Sequence, residues 1–82
     1  MEQYEQALKI NPDNAKAHYN VGIALMQSDH LPAAIEQFKQ ALKIDPGDAE
    51  IHEKLGTALW QTGHVSEAME QFHQALKSSL ER

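Results

Sequence analysis

The sequence predicts an all-α protein, an α-solenoid of antiparallel helical hairpins, from three observations. Residues 15–48 align without gaps on residues 49–82, with 15 identities in 34 positions. Residues 1–14 match residues 35–48 at eight of 14 positions. Every long segment carries apolar residues at helical spacing, and short breaks separate the segments. We therefore predict one continuous domain, in which 1–14 is the second helix of an incomplete repeat and 15–48 and 49–82 are whole repeats.

Five helices are predicted, in order, at about 2–10, 15–28, 32–44, 49–62 and 66–79. Strands are not predicted, because β-branched residues are sparse and do not alternate with polar ones. Pro12 and Pro46 each remove an amide donor and disfavour helix just before them. Asn14 and Asp48 then stand where an N-cap residue accepts the unpaired amides of the next helix.

The turn inside each whole repeat is three residues long, at 28–30 and at 62–64. Gly63 suits a left-handed helix end, and Asp29 is among the few other residue types that tolerate one. Connections this short require each helix pair to be an antiparallel hairpin.

Gly22 and Gly56 recur at the same position inside a helix, where glycine costs about 1 kcal/mol relative to alanine. We expect close helix packing to offset that cost. The aromatic residues Tyr4, Phe38 and Phe72 are expected to fill the space between successive repeats.

Composition excludes several classes of partner. A formal net charge of −5 without a basic patch argues against nucleic acid or an anionic membrane surface. The chain has no cysteine, so disulfides and thiolate chemistry are excluded. No apolar run approaches the roughly 20 residues of a membrane span, and the N-terminus lacks a signal-peptide pattern. We expect a soluble protein, cytoplasmic by default, of undetermined compartment.

The pattern resembles the tetratricopeptide repeat family, whose 34-residue unit has a Leu-Gly step, then Ala, an aromatic, Ala and a closing Pro. The matching residues are Val21-Gly22, Ala34, Phe38, Ala41 and Pro46; Leu55-Gly56, Ala68, Phe72 and Ala75; and Tyr4, Ala7 and Pro12. The chain departs from the pattern where His18 and His52 replace a frequent Trp. Leu80 replaces the last closing Pro, so the final helix is expected to continue toward the terminus.

The resemblance implies a right-handed superhelix whose concave face is lined by the first helix of each repeat. It also implies a groove that binds an extended peptide or another protein. By position, the groove residues are Lys16, Tyr19, Asn20, Ile23, Met26, Gln27, Glu50, Glu53, Lys54, Thr57, Trp60 and Gln61. The set of Lys, Asn and Arg side chains with which some members hold a C-terminal carboxylate is not present at the matching positions. A ligand of mixed or slightly basic character fits Glu50 and Glu53 better.

Trp60 has two interpretations at this point. Tryptophan is typical of interaction hot spots, which favours a groove position. The alternative is that Trp60 covers a neighbouring helix.

The ends of the array carry a second hypothesis, self-association. Solenoids usually need about three repeats with polar caps, and this chain has fewer. The predicted self-association residues at the two ends are Tyr4, Leu8, Ile10, Met69, Phe72 and Leu76. The sequence therefore predicts a non-catalytic interaction module, a piece of a longer array. The alternative is a homo-oligomer, end-to-end stacked or domain-swapped, whose main partner is itself.

Catalysis and cofactor binding are not predicted, because no nucleophile, metal or phosphate-binding motif appears. Four of the five histidines recur at the repeat period, and equivalent residues of adjacent repeats lie about 10 Å apart. That distance is too long for two imidazoles to share one zinc ion, which needs nitrogens at about 2.0–2.1 Å.

Overall fold

The structure is a computed structural model that describes residues 14–80, and over these residues it contains four helices and no strand. They are α1 (Ala15–Gln27), α2 (Leu31–Ile44), α3 (Ala49–Gln61) and α4 (Val65–Leu80). Each begins and ends within one residue of its predicted bounds. The all-α prediction is confirmed for this part of the chain. The first of the five predicted helices, at 2–10, lies outside the described residues, and so do Tyr4, Leu8 and Ile10.

Both predicted N-caps are confirmed. The side chain of Asn14 accepts a hydrogen bond from the Ala17 amide at 3.1 Å. The side chain of Asp48 accepts one from the Ile51 amide at 3.2 Å. Each bond satisfies one of the amides that a helix start leaves unpaired, so the loops between repeats fix where α1 and α3 begin.

The two turns inside the hairpins share one backbone conformation. Asp29 has a φ of 61° and Gly63 a φ of 86°, as the sequence predicts. After each, the amide of a histidine donates back into the preceding helix, from His30 to the Leu25 carbonyl and from His64 to the Leu59 carbonyl, both at 2.8 Å. These bonds satisfy carbonyls at the helix ends and reverse the chain within three residues.

The helices pack in sequence order, α1 against α2, α2 against α3 and α3 against α4, while α1 also touches α3. A single apolar core joins them. Its buried residues are Val21, Leu25, Ala34, Phe38, Ala41, Ile51, Leu55, Ala58, Leu59 and Ala68. Only Ala68 comes from α4, so the core is centred on α2 and α3.

Gly22 in α1 and Gly56 in α3 leave room for phenylalanine rings, in agreement with the close packing that the sequence predicts. A Cβ added at Gly22 would lie 2.5 Å from Cε1 of Phe38, and one at Gly56 would lie 2.8 Å from Cε1 of Phe72. Both distances are shorter than van der Waals contact. The sequence places these rings between successive repeats; the structure adds that each lies against the glycine of its own hairpin.

His52 connects three segments of the chain. Its Nδ1 lies 2.7 Å from Oε1 of Gln71 on α4, and its Nε2 lies 2.7 Å from the Pro46 carbonyl oxygen in the preceding loop. The buried ring therefore ties α3 both to α4 and to the loop before it.

Candidate partner-binding groove

All twelve predicted groove residues lie on α1 and α3, the first helices of the two hairpins. These helices touch along one side of the array, and three cavities open there. Eleven of the twelve residues line at least one cavity. Glu53 is the exception, although its charge acts on the first cavity.

The first cavity lies where α1 and α3 begin and has a volume of about 370 Å³. Four of its residues belong to the predicted groove, namely Lys16, Tyr19, Asn20 and Glu50. Its remaining lining, which the sequence did not predict, is Asn14, Ala15, Asp45, Asp48 and Ile51. The sequence pattern assigns Asn14, Asp45 and Asp48 only to the turn and cap. The signal for a second role is their position directly before the helices that carry Lys16 and Glu50.

The pKa of Tyr19 reports the negative charge of the residues around this cavity. Its ring packs against Phe38 with the centroids 5.9 Å apart and the planes tilted by 49°. Burial raises the pKa of the Tyr19 phenol above its ordinary value of 10.0, and the carboxylates of Glu50, Asp48 and Glu53 raise it further. The phenol thus stays neutral and stands in a negative field. The field favours a cationic group in the cavity.

The second cavity, of about 180 Å³, is lined by Ile23, Met26, Gln27, Lys54 and Thr57. Ile23 and Met26 are partly buried against the core. The Thr57 hydroxyl donates to the Glu53 carbonyl at 3.0 Å, within its own helix. What this cavity offers a ligand is therefore mainly apolar surface, with the Lys54 ammonium and the Gln27 amide beside it.

The third cavity, of about 330 Å³, is open and almost wholly apolar, and its lining is Thr57, Trp60, Gln61 and Phe72. Trp60 is 54% exposed. Its equivalent one repeat earlier, Met26, packs against the core and shares a cavity with residues of α3. In residues 14–80 no following helix covers Trp60 in the same way. Trp60 is therefore an exposed indole near the end of α3, beside Phe72 of α4.

The three cavities differ in character along α1 and α3. The first is acidic and polar, and the third is apolar. The second and third share Thr57. Such a surface can bind a chain segment. Within residues 14–80, no three His, Cys, Asp or Glu side chains are grouped to hold a metal ion.

Two related models of a repeat family together match nearly the whole chain. The profile described as TPR repeat matches residues 1–29 and 24–63, and the profile described as tetratricopeptide repeat matches residues 49–81. The chain belongs to the tetratricopeptide repeat family. The two hairpins are thus tetratricopeptide hairpins, and the resemblance read from the sequence is confirmed.

Several solved structures of the protein MamA are similar in fold to this chain. A crystal structure of MamA is 25% identical with a TM-score of 0.92, and the match covers 98% of this chain and 47% of that one. A structure of MamA MSR-1 is 27% identical with a TM-score of 0.85, covering 90% and 42%. MamA 41-end from Desulfovibrio magneticus RS-1 is 24% identical with a TM-score of 0.92, covering 96% and 45%, and this likeness shows the fold alone.

This chain spans about half the length of these MamA structures. No curated protein matches the sequence at a significant level. Among the described helices, none has the length and apolar character needed to cross a membrane.

Proposed function

We propose that this tetratricopeptide repeat protein is a non-catalytic interaction module that binds an extended segment of another protein along α1 and α3. Family membership supports a protein-interaction scaffold. The observation that carries the finer proposal is the series of cavities, because it joins residues of two helices into one surface. In this proposal 15–48 and 49–82 act as repeats of a right-handed superhelix, and the chain is a piece of a longer array.

The lining of the cavities suggests the chemistry of the bound segment. Asp45, Asp48 and Glu50 outnumber Lys16 in the first cavity, so this end favours a lysine or arginine side chain. The third cavity is apolar and exposes the indole of Trp60, so that end favours a large apolar side chain. The preferred ligand is an extended peptide with a basic residue near one end and an apolar residue near the other.

A peptide library displayed on phage tests this proposal without requiring that the partner be identified first. Selected peptides should combine a basic with an apolar residue and should lose at least about tenfold in affinity when Tyr19→Ala and Trp60→Ala are combined. Glu50→Lys should select peptides without the basic residue. Ile44→Ala is the matched control, because Ile44 is 43% exposed on α2, outside the three cavities.

The proposal is wrong if the selected peptides bind the double variant as tightly as the wild type. It is also wrong if amide chemical shifts locate those peptides on α2 or α4 and leave α1 and α3 unperturbed.

A further inference from the structure

The first and second cavities follow one another along α1 and α3 and share no lining residue. Four residues that line the first cavity have a counterpart in the second cavity, seven positions later in the chain. These pairs are Lys16 and Ile23, Tyr19 and Met26, Asn20 and Gln27, and Glu50 and Thr57. Seven residues are about two helical turns, so the members of a pair lie on one side of their helix, about 10.5 Å apart along its axis. The two cavities are therefore separate subsites at a distance set by the helices.

The two subsites suit different side chains. The first is acidic and has a volume of about 370 Å³, which accommodates a long basic side chain. The second has about half that volume, about 180 Å³, and its apolar walls are Ile23 and Met26. The ammonium group of Lys54 disfavours a second cation there. A single ligand would thus place a basic side chain in the first cavity and an aliphatic one in the second.

The distance between the subsites selects a backbone conformation for that ligand. In a polyproline II helix, side chains three residues apart lie on one side and are about 9.3 Å apart. In a β-strand, only residues two or four apart share a side, at about 6.7 and 13.4 Å. The strand spacings differ from 10.5 Å by about 3–4 Å, and the polyproline II spacing differs by about 1 Å. The polyproline II conformation therefore fits both cavities best.

Exposed amides beside both cavities suit such a backbone. Asn20 lines the first cavity and Gln27 the second, and both side chains are exposed. A side-chain amide both donates and accepts hydrogen bonds. The polyproline II backbone has no internal hydrogen bonds, so its carbonyls can accept from these amides. An α-helical ligand has already paired most of its backbone groups.

We infer, on the basis of the proposed function, that the first two cavities bind a polyproline II segment in a defined register. A lysine or arginine of the segment lies in the first cavity, and an aliphatic residue three positions away lies in the second. Proline is favoured at the two positions between them. Both cavities are formed by α1, α3 and the loops before them, and neither includes a residue of α4.

A series of synthetic peptides tests the register by NMR titration of the amides of the whole chain. Each peptide carries one arginine and one leucine, two to seven positions apart, with serine at the other positions, and both chain directions are measured. In the preferred direction the affinity should be highest at a separation of three. It should fall at least about fivefold at two or four, because the leucine then loses its burial in the second cavity.

The residues between the arginine and the leucine test the conformation. Two prolines there should raise the affinity roughly threefold relative to two serines, because the free peptide is already in the bound conformation. Two glycines should lower it by a similar factor, because a more flexible chain loses more entropy on binding.

Variants of the protein assign each side chain of the peptide to its cavity. Glu50→Gln should lower the affinity about fivefold, with little effect once the peptide arginine is replaced by alanine. Ile23→Ala should show the same relation to the peptide leucine, and Ile23→Val keeps the comparison measurable if Ile23→Ala does not fold. Glu36→Gln is the matched control, since Glu36 is exposed on α2 outside the three cavities, and it should have no effect.

The result that overturns this inference differs from the result that overturns the proposed function. Peptides that perturb the amides of α1 and α3 with equal affinity at every separation would leave the proposed function intact and contradict the register. An optimum at two or four would indicate a strand, and an optimum at seven would indicate a helix. A loss of affinity with proline would also contradict the polyproline II conformation. A series that perturbs no amide of α1 or α3 would contradict both.

Discussion

The two hairpins share a sequence pattern and differ in what surrounds it. Phe38 and Phe72 occupy the same position of the repeat, and each lies against the glycine of its own hairpin. Phe38 is fully buried because α3 packs over α2, whereas Phe72 is only partly buried because nothing in residues 14–80 packs over α4. The burial of a side chain in a repeat array thus depends on the helix that packs against it as much as on its own residue type.

The largest expected effect is the contrast between Phe38→Ala and Phe72→Ala. Phe38→Ala removes a fully buried ring and should lower the free energy of unfolding by about 3–5 kcal/mol. Phe72→Ala should cost less than about half of that, because the ring is already partly hydrated. Urea denaturation followed by circular dichroism measures both. Phe38→Leu, expected to cost about 1 kcal/mol, keeps the comparison measurable if Phe38→Ala does not fold. Equal costs at the two positions would contradict the comparison.

Substitutions at His52 measure how much its two hydrogen bonds, to α4 and to the loop between the hairpins, contribute to stability. His52→Ala leaves the Pro46 carbonyl and the Gln71 amide without their partner and should lower the free energy of unfolding by about 1–3 kcal/mol. Gln71→Ala removes only the bond to α4 and should cost less. If the two variants were equally stable, the bond to Pro46 would contribute nothing.

The two glycines should respond differently to the same added methyl group. Gly22→Ala forces a methyl into the buried ring of Phe38, and the resulting strain should exceed the helix-propensity gain by about 1–2 kcal/mol. Gly56→Ala should remain within about 0.5 kcal/mol of the wild type, because Phe72 can move toward solvent. Thermal and urea denaturation give both values. A larger cost at Gly56 would show that Phe72 is held as firmly as Phe38.

The smallest effect concerns the acidic first cavity, which lies where α1 and α3 begin. In a Tyr4→Phe background, the phenolate absorbance of Tyr19 should appear at higher pH than that of an ordinary tyrosine, because burial and the nearby carboxylates raise its pKa. Glu50→Gln should lower that pKa part of the way, since burial is the larger cause. The sign for stability follows from the raised pKa. The Tyr19 contribution is complete below the unfolded pKa near 10 and is lost as the pH rises through the folded value. A Tyr19 titration at the ordinary value would contradict the description of the cavity.

The sequence predicted the local structure well, for physical reasons that are visible in particular residues. Asn14 and Asp48 cap their helices, and Asp29 and Gly63 adopt positive φ, because caps and turns depend on a few neighbouring residues. Close packing at Gly22 was also predictable, since an interior glycine is costly unless the space is needed.

What the sequence could not predict depends on residues far apart along the chain. Repetition made Phe72 look equivalent to Phe38, because a repeat pattern records identity and not the helix that lies outside it. The acidic lining of the first cavity was missed because Asp45 and Asp48 already had an explanation as turn and cap. The exposure of Trp60 beside Phe72 depends on how α3 packs against α4, which a repeat pattern does not record.

Amide hydrogen exchange tests most directly the claim that α2 is packed between two helices whereas α4, within residues 14–80, is packed against α3 alone. The amides of α4 should exchange faster than those of α2, because fewer buried contacts hold α4 in place. Equal protection of α2 and α4 would contradict the account.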